Sequence, residues 1–144
     1  MAVALLVAVA GCGEGEGVAK GAAVTAYVVA PLCAEASRGL SQNHGRAGDL
    51  RVRVICLPSV ESHRRLKLAR VGANARHATE DSTAVAYLEA PGSANRFAEP
   101  ILESAGIVSV HASSGSAATA ELLEAVKRAG DSGNLRESVR DELQ

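Results

Sequence analysis

Between Val24 and Ala30 the chain reads "VTAYVVA", an unbroken apolar and β-branched run of strand length that stops at Pro31. Cys33, Ala36 and Leu40 then recur at helical spacing, and this first helix is expected to stop near Gly45. "LRVRVICLP", residues 50–58, alternates at its start and becomes continuously apolar, which predicts a second strand closed by Pro58. From about His63 to Ala78 good helix formers place Leu66, Ala69 and Ala73 on one stripe, with four arginines and a lysine mostly off it. That pattern predicts an amphipathic surface helix.

"TAVAYLEA", residues 83–90, lacks polar alternation and predicts a strand buried on both faces. "PGS" follows as turn chemistry, with Ser93 placed to cap a third helix that runs to Ala105, turns Phe97 and Ile101 inward and carries Pro100 inside it. After Gly106, "IVSVHA", residues 107–112, predicts a fourth strand. "SSGS" then offers Ser116 as the cap of a helix over 117–129, apolar at Leu122, Leu123 and Val126 and stopped by Gly130; its Lys127 and Arg128 suit the C-terminal dipole. Asn134 and Glu137 have capping-box spacing, and Leu135, Val139 and Leu143 follow at i, i+4 and i+8, so a short helix ends the sequence.

Strands alternating with helices predict an α/β fold: a three-layer αβα sandwich around a four-stranded parallel sheet of order 2-1-3-4, forming one domain over residues 24–144. Ligands of such sheets bind beyond the carboxyl ends of the strands, at the switch point between the first and third. The loops to inspect therefore follow Ala30, Pro58, Glu89 and Ala112.

A chain of 144 residues can bury one core of moderate size and no second lobe. Lys and Arg number 15 against 16 for Asp and Glu, so no net field attracts nucleic acid or an anionic membrane. Tyr27, Tyr87 and Phe97 are the only aromatics, thin provision for stacking on bases or sugar rings. Nucleic-acid partners are accordingly not expected.

The N-terminus divides the compartment question. In "MAVALLVAVAGCGEGEG" the glycines at 11, 13, 15 and 17 miss the G-x-G-x-x-G register, and the following "VAKGAAVTAYVV" leaves no room for a helix on which a pyrophosphate would rest. Ala2 to Ala10 has the length of a signal-peptide core, and Val9-Ala10-Gly11-Cys12 resembles a bacterial lipobox. Residues 1–11 are then a signal peptide, Cys12 the lipidated first residue of the mature chain, and 12–23 a flexible tether. Against this, no Lys or Arg follows Met1 to supply a basic n-region, and an ordinary N-terminal core strand is the other reading. With Cys12 acylated, Cys33 and Cys56 remain as an even pair in an oxidising compartment, at one edge of the expected sheet. Two buried free thiols fit the pair almost as well.

Catalytic patterns are poor. There is no G-x-S-x-G, no C-x-x-C and no tight metal spacing among His44, His63, His77 and His111, and a satisfied core histidine is the default for His111 at the end of a strand. Neither an enzyme nor a cofactor is expected. "EAPGSAN" and "ASSGS" are instead hydroxyl-rich, glycine-bearing loops that lead into helix N-termini, where Ser93, Ser113 and Ser114 could join free N–H groups around a carboxylate or phosphate. The plainer alternative is that these serines only cap helices.

The succession of "APLC", "HGRAGDLRVRVICLP" and "TAVAYLEAPGSANRFAEPILESAGIVSVHASSG", followed by the tail "LLEAVKRAGDSGNLRESVRDEL", resembles the first lobe of type I periplasmic substrate-binding proteins, the branched-chain amino-acid receptors of ABC transporters. The resemblance is densest in "PILESAGIVSV" and runs over most of the chain from about residue 24. It implies that Gly92 and Ser93, with Ala112, Ser113 and Ser114, match the places where such a lobe holds an amino acid's carboxylate and ammonium. It also implies an ABC permease as partner and a lipid anchor on the outer face of the cell membrane, in the periplasm or at the cell surface. The departure is that "ASSGSAATAELLEAV" joins the fourth strand directly to the tail, so the second lobe and its half of the clamp are missing. The expectation is a single-lobe solute-binding relative with weak affinity, for which a homodimer could supply the other wall. A non-binding interaction module is the rival, and a cytosolic flavodoxin-like enzyme survives only if the N-terminus is no signal.

Overall fold

A computed structural model describes residues 23–130 and 132–144. The expected signal peptide over residues 1–11, Cys12 and residues 12–22 of the expected tether lie outside the described residues. In chain order the elements are β1 (Val24–Val29), α1 (Cys33–Gln42), β2 (Arg46–Ala47), β3 (Leu50–Leu57), β4 (Glu61–Ser62), β5 (Arg65–Leu66), α2 (Leu68–Thr79), β6 (Ala84–Glu89), α3 (Asn95–Ser104), β7 (Val108–His111), α4 (Gly115–Ala129) and α5 (Leu135–Leu143).

The main sheet has five strands in the order β2-β3-β1-β6-β7 and is mixed, since β2 pairs antiparallel with β3 while β1, β3, β6 and β7 run parallel. The all-parallel four-stranded sheet expected from the sequence is thus corrected by one short edge strand. Its cause is local: Gly48-Asp49 forms the tight turn of a hairpin, with Gly48 at φ 59° and Gly45 at φ 65°, left-handed positions that side chains other than glycine's adopt at a cost.

Two apolar layers cover the sheet. α1, α4 and α5 bury Ala36, Leu122, Val126 and Val139 against Val24, Val28 and Leu88 on one face. On the other, α2 and α3 bury Val71, Ala75, Ala98 and Leu102 against Tyr27, Val29 and Leu57. Every residue of β1 and β6 is buried, as an unbroken apolar run requires when helices lie on both faces. α4 approaches α1 so closely that a Cβ on Gly115 would collide with the Leu32 carbonyl oxygen and reach 2.9 Å from the Ala36 nitrogen.

Other expectations are corrected in register. Residues 61–66 form the β4–β5 hairpin, with His63 and Arg64 at positive φ, so α2 begins only at Leu68. The later start rotates its inward stripe: Val71, Asn74, Ala75 and Ala78 are buried, whereas Ala69 and Ala73 face solvent. α3 buries Ala98 and Leu102, while Phe97 is 38 % exposed with the Arg96 guanidinium 4.7 Å from its ring centre. The N-cap half of the α5 capping box forms, the Glu137 N–H donating to Asn134 Oδ1 at 3.4 Å, while Glu137 Oε2 accepts from the Asn134 side-chain Nδ2 at 3.1 Å in place of the backbone N–H.

Arg136, one residue into that box, ties α5 to the N-terminal end of the sheet. Its guanidinium donates to the carbonyls of Ala84 at 2.7 Å, Asp81 at 2.8 Å and Ala105 at 3.1 Å. Asp81 at the same end has every partner it needs: the Thr83 hydroxyl and N–H donate to Oδ1 at 2.7 and 2.8 Å, and the Tyr27 hydroxyl donates to Oδ2 at 3.1 Å. Burial pushes its carboxyl up, but those bonds and Arg53 nearby outweigh burial and hold it below the usual range. The same contact, with burial leading, raises the Tyr27 phenol to about 12.

Candidate functional site

β3 lies to one side of β1 and β6 to the other, so the chain's crossovers reverse direction between β1 and β6. The loops leaving those two strands diverge at their carboxyl ends, which is where a doubly wound sheet opens a crevice. A crevice of about 140 Å³ sits there, walled by Val29, Pro31, Val60, Glu61, Glu89 and Gly92.

Glu89 is the residue that sets its chemistry. It ends β6, on the strand face shared with Tyr87, and is 1 % exposed. Its Oε1 has no hydrogen-bond partner among the described residues. The His111 Nε2 lies 3.7 Å away, within ion-pair range and too long for a hydrogen bond, and is itself 3.4 Å from Glu99 Oε1. Burial, and in smaller measure the Glu99 carboxylate, push the Glu89 carboxyl above its ordinary range, against the opposing pull of the Asn95 side chain and His111. Two residues earlier the Tyr87 hydroxyl is likewise buried without a partner, and burial raises it. A buried acceptor left unpaired costs on the order of 1–3 kcal/mol, more when charged, so the fold carries Glu89 at a loss. His111, expected as a core histidine, is instead an exposed group on the edge strand β7 that flanks this carboxylate.

The serine loops leave the same end of the sheet, because β6 and β7 are parallel neighbours with Glu89 opposite His111. Their donors are already committed. At the start of α4, Ser114 caps the helix by accepting from the Ala117 N–H at 3.4 Å, in place of the expected Ser116. The Gly115 N–H and the Ser114 hydroxyl donate to Glu35 Oε2 at 2.9 and 3.3 Å, so a carboxylate from α1 occupies the helix N-terminus that a ligand's carboxylate would use. In the loop after β6, Asn95 does the work expected of Ser93: its Oδ1 accepts from the Gly92 N–H at 2.6 Å and its Nδ2 donates to the Ala90 carbonyl at 3.3 Å. Of the expected ligand residues, Gly92 lines the crevice, Ser93 and Ser113 are exposed, Ser114 faces Glu35, and the Ala112 N–H extends the sheet ladder to the Glu89 carbonyl at 3.0 Å.

Cys33 and Cys56 form a disulfide-like contact with Cα atoms 5.6 Å apart. The contact joins the start of α1 to the end of β3, and so fastens together the two segments that carry Pro31 and Val60 into the crevice.

Glu89 and Glu35 escape a reading by motif, since neither belongs to one. A signal for Glu89 was nonetheless present: an acid inside a strand whose every position is buried must itself be buried, and a buried acid needs a reason. Nothing in the sequence signals Glu35, because its partner is 80 residues away.

Two wider hollows, about 530 and 400 Å³, run past Gly106 and Arg140 between α3, β7 and α5, away from the switch point. No described helix is long and apolar enough to cross a membrane, and no group of three or more His, Cys, Asp or Glu among the described residues is arranged to hold a metal ion. No family model, curated protein or solved structure gives a significant match to this chain.

Proposed function

We propose that this chain is a solute-binding lobe of the amino-acid-receptor type, without catalytic activity, that holds a small ligand in the crevice between the β1 and β6 loops. The observation that carries this reading is Glu89: a buried carboxylate at the switch point whose Oε1 has no hydrogen bond costs stability, and gains a purpose once a ligand completes it. The Cys33–Cys56 contact supports an extracytoplasmic location, since disulfides persist in oxidising compartments. Anchoring through lipid on Cys12 and delivery to an ABC permease complete the reading. A ligand held by one lobe keeps one side open to solvent, so affinity is weak unless a second copy closes over it.

A titration of the full chain with a panel of amino acids, amines and carboxylic acids, followed by backbone amide NMR, tests it. Shifts confined to residues 30–32 and 89–94 support binding at this crevice. No response to any of them favours the rival, an interaction module, for which the outer edge of β7 is the available surface. Intact mass of the membrane fraction tests the anchor: acylation at Cys12 supports it and an unprocessed N-terminus overturns it.

A further inference from the structure

We propose that the group this crevice takes is a protonated primary amine, with the Glu89 carboxylate as its counter-ion and no subsite here for a ligand carboxylate; the inference rests on the small-ligand reading above. Glu61 and Glu89 are the charged residues in the crevice wall, and no Lys, Arg or His lines it. The donors that a carboxylate would need are spent within the chain, at Gly115 and Ser114 on Glu35 and at Gly92 on Asn95. What is left without a hydrogen bond is an acceptor: Glu89 lines the crevice, and its Oε1 is buried and unsatisfied.

Size and wall chemistry sharpen the class. At roughly 30 Å³ per water, 140 Å³ holds four or five heavy atoms, enough for an ammonium and its first methylenes. Val29, Pro31, Val60 and Ala94 offer those methylenes apolar contact. A calcium or magnesium ion is the poorer fit, because a hard cation asks for six or more oxygens and the wall brings two carboxylates on separate elements. The ammonium is a donor of three hydrogen bonds on a compact charge, which suits one buried carboxylate oxygen.

The test titrates the full chain at neutral pH with ethylamine hydrochloride, sodium propionate and calcium chloride, each read by amide NMR, on the natural sequence and on Glu89→Gln. Ethylamine is expected to shift residues 89–94 and 30–32, propionate and calcium to leave them unmoved, and Glu89→Gln to weaken ethylamine at least tenfold. Propionate or calcium binding in place of ethylamine overturns the amine while leaving the small-ligand reading standing. Silence from these probes and from the wider panel overturns both. Ethylamine that binds Glu89→Gln as well as it binds the natural chain also overturns the assignment. Should the variant misfold, the natural chain carries the test alone: with Glu99 and His111 beside Glu89, Tyr87 on its own strand and Glu61 across the crevice, ethylamine affinity must fall as acid protonates the carboxylate. An affinity that stays level through that range overturns the proposal.

Discussion

Replacing Glu89 by leucine is expected to make the protein more stable. The substitution removes a carboxyl that is 1 % exposed, whose Oε1 has no hydrogen bond and whose ionisation burial opposes, and puts an apolar side chain of similar volume in its place. An unpaired buried acceptor costs roughly 1–3 kcal/mol, so a gain of about 2 kcal/mol is expected at pH 7. For a chain of this length that raises Tm by roughly 6–10 °C. The gain depends on pH in a fixed direction. Because the folded protein holds the Glu89 carboxyl above its ordinary range, ionisation penalises the folded state; the penalty is complete above the folded pKa and absent below the unfolded one. The advantage of Glu89→Leu must therefore be greater above the folded pKa than in acid, and shrink on acidification into the ordinary carboxylate range. Urea melts of both proteins across that range measure it. A variant less stable than the natural chain at pH 7, or an advantage that grows in acid, would refute the claim that this carboxylate is buried with Oε1 unsatisfied.

Three further outcomes follow from the same geometry. Gly115→Ala should destabilise the fold by about 3 kcal/mol in urea melts, because the obstacles to its Cβ are backbone atoms of Leu32 and Ala36 that no rotamer can move aside; a change below 1 kcal/mol would show that α1 and α4 separate freely. Asp81→Asn should cost about 2–3 kcal/mol at neutral pH, where the natural carboxylate accepts from Thr83 and Tyr27. Its carboxyl is held low in the fold, so that stability is present above the unfolded pKa and lost as pH falls through the folded one, and the gap between the two proteins must close in strong acid. Cys33→Ser with Cys56→Ser should lower stability by about 3 kcal/mol and broaden the amide signals of residues 30–32 and 59–61, since the contact spans 23 positions and fastens the crevice walls; a double variant as stable as the natural chain would remove the structural role.

The layered architecture was legible because its signals are local. "VTAYVVA" and "TAVAYLEA" are buried on both faces, and their unbroken apolar character says so directly. The capping box at Asn134 and the stop at Gly130 lie within a few residues of the events they control. The errors arose where two local signals compete. "SHRRLKLAR" has helix formers throughout, yet burial of Val60 and the partial burial of Leu66 fold its first part into a hairpin and shift the helical register after it. Phe97 lost the interior to Ala98 and Leu102, because the packing of α3 on α2 leaves room there for small side chains and one leucine. In the candidate site the two serine loops follow parallel neighbouring strands, but whether a donor is free depends on distant side chains. Glu35 and Asn95 had already taken the N–H groups that the serine motifs advertise. What remained was the opposite polarity, a carboxylate, which turns the expected preference for an anion into one for a cation.

The most direct measurement is the titration of the Glu89 side-chain carboxyl carbon by NMR, in the free protein and with ethylamine present. A midpoint above the ordinary carboxylate range is expected in the free protein, moved down as the amine binds the ionised form. A midpoint in the ordinary range that the amine leaves in place would contradict it.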